Sequence, residues 1–263
     1  MKYAIYQMDV VTAEPQANFH KIQTWVEEQV QADKPDVFIL PEMWNTGYAL
    51  PQLITIADSK GKETIPFLSS LAKQHQVHII GGSIANKKED GIYNTSYVFN
   101  REGELVHEYD KIHLVPMLDE PNYLQGGKNK AKVFELEGVK MGLIICYDLR
   151  FPELTRDLAL QGAEVIHIVA QWPTSRKEHW HFLQHARAIE NQCFIISANS
   201  CGTCDGTDFA GDSLVIDPSG KQIVAGDSEI EATVKTSLNL TEVEKTRKRI
   251  PVFDSRVPRL YGV

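Results

Sequence analysis

The chain has 263 residues with 43% hydrophobic and 24% charged side chains, the balance of a soluble globular protein with enough apolar material for a large core. A formal charge of −8 argues against nucleic acid or an anionic membrane as the main partner. No apolar run approaches bilayer length, and the first ten residues lack the basic-then-apolar pattern of a secretory leader, so the expectation is a cytoplasmic protein.

Tyr3 to Met8 reads as a strand, and Pro15 to Val30 as an amphipathic helix with Phe19, Ile22, Val26 and Val30 on one face. Val37 to Leu40 is a continuous apolar strand stopped by Pro41, and Glu42 follows at once. The pattern predicts a helix over 66–76, a strand over 77–83 ending in Gly81-Gly82, and a hairpin whose strands, 93–100 and 104–109, flank Arg101-Glu-Gly103. Its second strand runs into Asp110-Lys111. From Leu114 to Lys132 the sequence is irregular, and a long irregular segment in a compact domain is more often a pocket wall than a spacer.

Gly142 to Ile145 is a short apolar run that reads as a strand buried on both faces, and it ends abruptly at Cys146. Pro152 and Glu153 suit the first turn of a helix over 151–161. A strand, a tight turn and a helix start lift one side chain above a sheet and aim backbone N–H groups at it, as a nucleophilic thiolate and its oxyanion require. A strand over 163–170 follows, then Gln171-Trp172-Pro173. Trp172 suits either a core position or a pocket wall. The helix over 178–192 carries His181 and His185 four apart, yet no third ligand has matching spacing, so a mixed helix face is expected rather than a metal site.

Strands are predicted over 194–199, 213–217, 221–225 and 230–236, and a charged helix over 241–249. Cys193 reads as core, and Cys201 and Cys204 have CxxC spacing without a second pair. Four cysteines so clustered suit neither a disulfide scaffold nor a zinc site. The tail, 250–263, mixes apolar residues and prolines without helical period and is expected to pack on this domain or on a second subunit. No linker or repeat interrupts the chain, so we read 1–263 as one α/β domain, a mixed sheet covered by helices.

Glu42, Lys111 and Cys146 share a context, each just past a predicted strand, and in open α/β sheets ligand sites gather at the carboxyl ends of strands. Their chemistry is complementary. A buried glutamate takes the thiol proton, and a lysine stabilises the oxyanion together with the backbone N–H of Tyr147.

Phe38-Ile-Leu-Pro-Glu42, Tyr109-Asp-Lys111-Ile-His-Leu114 and Gly142-Leu-Ile-Ile-Cys146-Tyr-Asp-Leu-Arg150-Phe-Pro-Glu153 resemble, in order and separation, the three signature segments of the nitrilase, or carbon-nitrogen hydrolase, superfamily. Ala186 to Gln192 and Gly211 to Gly220 are similar to its later segments. The resemblance implies a four-layer αββα sandwich, a triad of Glu42, Lys111 and Cys146, no metal or organic cofactor, and a homodimer whose interface includes the tail. It implies that Glu120 positions substrate and lysine. Arg150, Arg187 and Glu190 fall in matching segments but suit structural ion pairs equally well. Ala170 to Pro173 and Ala186 to Gln192 look most like the branch of ω-amidases acting on 2-oxoglutaramate, and Tyr147, where nitrilases commonly have Trp, favours an amide over a nitrile. The implied reaction is hydrolysis of a small ω-amide through a Cys146 thioester. Two other readings stay open: an amidase acting on deaminated glutathione or an N-carbamoyl amine, and a silent binding protein on the same fold.

Overall fold

In the computed structural model, which describes residues 1–228 and 230–261, largely buried strands pair into two large sheets with helices outside them. The first half of the chain supplies β1 (Lys2–Gln7), α1 (Pro15–Asp33), β2 (Val37–Ile39), α2 (Leu53–Ile56), β3 (Asp58–Ser59), α3 (Thr64–His75), β4 (His78–Ile80), β5 (Ile84–Lys88), β6 (Gly91–Phe99), β7 (Leu105–Asp110) and α4 (Glu120–Tyr123). The second half supplies β8 (Phe134–Leu136), β9 (Val139–Ile145), α5 (Pro152–Leu160), β10 (Val165–Ala170), α6 (Lys177–Asn191), β11 (Phe194–Asn199), β12 (Thr203–Cys204), β13 (Thr207–Asp208), β14 (Leu214–Ile216), β15 (Gln222–Ala225), β16 (Ala232–Ser237) and α7 (Thr241–Arg249).

Among the described residues the first sheet runs β16-β1-β2-β4-β6-β5-β3, with β7 also on β6, and the second runs β15-β14-β11-β10-β9-β8. Both are mixed. β1, β2 and β4 are parallel, as are β9, β10 and β11, and the flanking pairs are antiparallel. In place of the one mixed sheet read from the residue pattern, the described residues thus form two large sheets, in the four-layer arrangement that the resemblance implied, and a separate two-stranded β12-β13 sheet.

Period-two alternation explains the layers. Tyr3, Ile5, Val37, Ile39, Ile80 and Val98 point inward and share one core with the second sheet's Leu143, Ile145, Val165 and Val169. Their neighbours Ala4, Tyr6, Phe38, Leu40, Ile79 and Tyr97 point outward onto Ile22 and Val26 of α1 and Leu68 of α3. Gly142 of β9 faces Leu158 of α5, which covers the second sheet with α6. No helix among the described residues is long and apolar enough to cross a membrane.

The strand predicted over 77–83 stops at Ile80, because Gly81 and Gly82 turn the chain, and β5 begins at Ile84. Within 114–132 the backbone is irregular apart from a 3₁₀ turn over Pro116–Leu118 and α4. The tail begins by packing on its own chain. Phe253 lies between the Arg156 and Arg247 guanidinium groups, 5.5 and 5.1 Å from its ring centroid, and Gln192 Nε2 donates to the Ile250 carbonyl at 2.7 Å. Residues 262 and 263 of that tail lie outside the described residues.

Candidate active site

The parallel strands β2, β9 and β10 place their carboxyl ends together, and β7 ends beside them. Glu42 follows β2, Lys111 follows β7, and Cys146 follows β9 without an intervening residue. Gln171, after β10, completes the ring. Three residues around the site adopt unusual backbone. Cys146 has φ +46°, Met43 beside Glu42 has φ +47°, and Asp119 beside Glu120 has φ +56°. Left-handed conformations cost a branched or bulky side chain about 1–3 kcal/mol and persist where the surroundings over-determine them.

The side chains converge. Lys111 Nζ is 2.8 Å from Glu42 Oε1 and 2.8 Å from Glu120 Oε1, and all three residues are fully buried. Glu42 Oε1 also accepts from Asn94 Nδ2 at 2.8 Å, and its Oε2 from the Gln171 N–H at 2.8 Å. Gln171 Nε2 donates back to the Glu42 carbonyl at 2.7 Å, so strand exits β2 and β10 are tied twice. Glu120 is fixed likewise: Tyr48 donates its hydroxyl to Oε1 at 2.7 Å, and the Val115 N–H donates to Oε2 at 2.7 Å. The thiol of Cys146 is only 3% exposed, and the Glu42 carboxylate is close enough to raise its pKa.

Electrostatics decide the resting state. Burial pushes the Cys146 thiol well above its ordinary pKa, Glu42 and Glu120 push the same way, and Lys111 opposes them. The thiol therefore keeps its proton until a base takes it. Burial works against the Lys111 charge, but Glu120 and Glu42 outweigh it and hold its pKa above the ordinary lysine value. Lys111 stays cationic. Tyr147 is the second residue of a 3₁₀ turn over Cys146–Arg150, so no carbonyl within the turn accepts its N–H.

Cys146, Tyr147 and Trp172 line one narrow cleft with Leu118, Arg150 and Arg176, and its volume of about 20 Å³ is room for about one water. A hollow of about 290 Å³ lies on the other side of Leu118, walled by Tyr48 and Phe209. Trp172 is both core and wall: it is 2% exposed, donates Nε1 to the Arg176 carbonyl, and carries the Arg150 guanidinium 4.6 Å from its ring centroid.

The six residues singled out in the sequence, Glu42, Lys111, Glu120, Cys146, Tyr147 and Trp172, thus stand in or around one site. Sequence reasoning missed Asn94, Gln171 and Tyr48, whose amide and hydroxyl groups carry no signal until the strands are paired. Arg150 is a correction of another kind. Among the described residues it forms no ion pair and has His179 Nδ1 at 3.3 Å besides the Trp172 and Tyr147 rings, whereas Arg187 does pair with Glu190 at 3.0 Å. His181 and His185 turn to separate partners, Asp212 and the Gly220 carbonyl. Cys201 and Cys204 are free thiols, as are Cys146 and Cys193.

A buried thiol, a carboxylate near it and a buried lysine at the strand exits of an αββα sandwich define a hydrolase of carbon–nitrogen bonds. Residues 2–248 match the model of the carbon-nitrogen hydrolase family, and the chain belongs to that family. It is 49% identical over 227 residues, 86% of this chain and 97% of the relative, to a protein of Staphylococcus lugdunensis named hydrolase in agr operon. It is 42% identical over 263 residues, 99% of this chain and 100% of the relative, to the 2-oxoglutaramate amidase of Bacillus subtilis. The crystal structure of Saccharomyces cerevisiae Nit3, a member of branch 10 of the nitrilase superfamily, matches with a TM-score of 0.90 at 28% identity, covering 99% of this chain and 97% of that one.

Proposed function

We propose that this enzyme hydrolyses a small ω-amide of a 2-oxo acid, such as 2-oxoglutaramate, to the acid and ammonia. The observation that carries the reading is the unpaired Arg150 guanidinium in the same cleft as the Cys146 thiol, with Arg176 beside it. A cation without a carboxylate partner, half withdrawn from water, suits a substrate that brings its own carboxylate. The relative from Bacillus subtilis, named for that amide, supports the same choice.

In this reading Glu42 takes the thiol proton as sulfur attacks the amide carbon. Moving the proton from Cys146 to Glu42 leaves the cluster's net charge unchanged, so it demands little reorganisation in a dry site. Once Glu42 is neutral, Glu120 still holds Lys111, whose ammonium, with the Tyr147 N–H, stabilises the oxyanion. The intermediate collapses by breaking the C–N bond, Glu42 returns its proton to the departing ammonia, and a thioester remains on Cys146. Water, deprotonated by Glu42, attacks the thioester, and the acid leaves as the thiol is restored.

Purified protein given 2-oxoglutaramate, deaminated glutathione and an N-carbamoyl amine separates the substrates by ammonia release. Fastest release from 2-oxoglutaramate, abolished in Cys146→Ala, is expected; faster turnover of either other compound would overturn the substrate, and an inactive protein the catalytic reading.

The finer setting is also part of the proposal. Four unpaired thiols suit the reducing cytoplasm. Phe182 and Ile189, two helical turns apart on α6 and 72% and 54% exposed, form an apolar stripe suited to a second copy. The exposed Leu260 and Tyr261 of the tail extend the apolar surface offered to such a copy. A dimer by light scattering, converted to monomer by Phe182→Glu, is the expected result.

A further inference from the structure

Two residues after Cys146, Asp148 is fully buried and accepts four hydrogen bonds. Its Oδ2 accepts from the Tyr109 hydroxyl at 2.8 Å and from the Ile145 N–H at 3.1 Å. Its Oδ1 accepts from His113 twice, from the backbone N–H at 3.1 Å and from Nδ1 at 2.8 Å, which requires the ring proton on Nδ1. Those donors are not scattered. Tyr109 and His113 stand two residues before and two after Lys111, and Ile145 immediately precedes Cys146.

One carboxylate therefore bolts together the two segments that carry the ammonium and the thiol. The segments come from different sheets, β7 and β9, so this tie joins them directly, beside the longer route through Glu42 and Gln171. Tyr109 is buried and its hydroxyl is held far above its ordinary pKa by burial and by Asp148, so it remains a donor. The His113 ring stacks on Phe151 at 3.5 Å with 9° between planes, which fixes the direction of Nδ1. We propose that Asp148 is a positioning residue for the reaction: through Tyr109 and His113 it sets the distance and direction of Lys111 relative to the Cys146 thiol.

The inference rests on the thioester chemistry proposed above but not on which amide is the substrate. Its test accordingly uses p-nitrophenyl acetate, an activated ester that acylates a reactive thiol whatever the natural amide. A misplacement of about 1 Å at a reacting centre costs up to about a hundredfold in rate. Asp148→Asn, of the same shape but with one oxygen acceptor replaced by an amide, is expected to lower the maximal acylation rate by about tenfold or more. KM should stay within about twofold, the mark of an interaction felt in the transition state only.

Tyr109→Phe is expected to slow the same step, and the Asp148→Asn/Tyr109→Phe pair to be no slower than Asp148→Asn alone, since both remove one tie. His113→Asn keeps an N–H near the Nδ1 position and should retain several times the rate of His113→Ala. Should Asp148→Asn fail to fold, the His113 pair and Tyr109→Phe decide the matter. Losses that multiply in the double variant, equal rates for His113→Asn and His113→Ala, or a lowered melting temperature with unchanged acylation would overturn the proposal. Absence of ammonia release from 2-oxoglutaramate with acylation intact would instead count against the substrate alone.

Discussion

At the scale of single residues, the resting thiol is protonated, and this separates the site from one that stores a thiolate. Burial and the carboxylates of Glu42 and Glu120 hold the Cys146 pKa above its ordinary 9.0. Alkylation of Cys146 in the resting enzyme is therefore expected to keep accelerating past pH 9.0, whereas a stored thiolate would have levelled off below neutrality. Reactivity then depends on the base. Glu42→Gln should lower kcat by about 10²- to 10⁴-fold while the protein stays folded, measured by ammonia release. At the mouth of the cleft, Arg150→Gln should raise KM for 2-oxoglutaramate by about tenfold or more and leave turnover of an uncharged amide within about twofold, because only the first substrate brings a carboxylate. Equal effects on both would remove Arg150 from recognition of the acid.

Strand exits are the elements that matter most here, and two of them use backbone that a propensity reading disfavours. Met43 and Cys146 adopt left-handed backbone without being Gly or Asn, held by the ties that surround Glu42 and by Asp148. Gly82 supports the same corner from behind. It has φ +59°, and a side chain there would run into the Pro41 carbonyl, one residue before Glu42. Gly82→Ala is expected to cost about 1–3 kcal/mol of stability and to lower kcat more than it changes KM, read by urea unfolding and ammonia release. Unchanged activity would show that the Pro41-Glu42 corner tolerates displacement. The elements that the sequence hid are mostly short: β3, β8, β12 and α2 have 2–4 residues, too few for any period to show. β5 was hidden for a different reason, since Lys87 and Lys88 end it with charges, although Lys87 pairs in register with β3 and Lys88 reaches Glu108 and Asp110 of β7.

Across the whole molecule, the two sheets meet over a row of rings that includes titratable ones. Tyr3 of the first sheet, His167 and Phe134 of the second, and His107 of the first follow one another with centroid separations of 6.0, 6.1 and 4.9 Å. Burial lowers His107 and His167 from 6.5 to about 4, so both are neutral in the folded state. Between those values the unfolded chain binds a proton at each site that the folded protein does not. Their contribution is complete above pH 6.5 and is lost as pH falls towards about 4, at about 1.4 kcal/mol per pH unit for each histidine. His107→Phe should remove one such increment from the acid slope, measured by urea unfolding at neutral and mildly acidic pH. An unaltered slope would place the acid sensitivity elsewhere.

What the sequence determined by itself was the set of local events: apolar runs that must be buried, the residues that end them, and the reactive side chains stranded at those ends. Glu42, Lys111 and Cys146 were legible because each is a reactive polar residue just past a predicted strand. The tertiary structure alone decided how many sheets those strands form, and that Asn94, Gln171, Tyr48 and Asp148 would serve the three, because their partners lie tens of residues away and a lone amide, phenol or carboxylate carries no address. It also decided that Arg150 would have no counterion among the described residues, since an ion pair is a property of two places in space and the chain states only one of them.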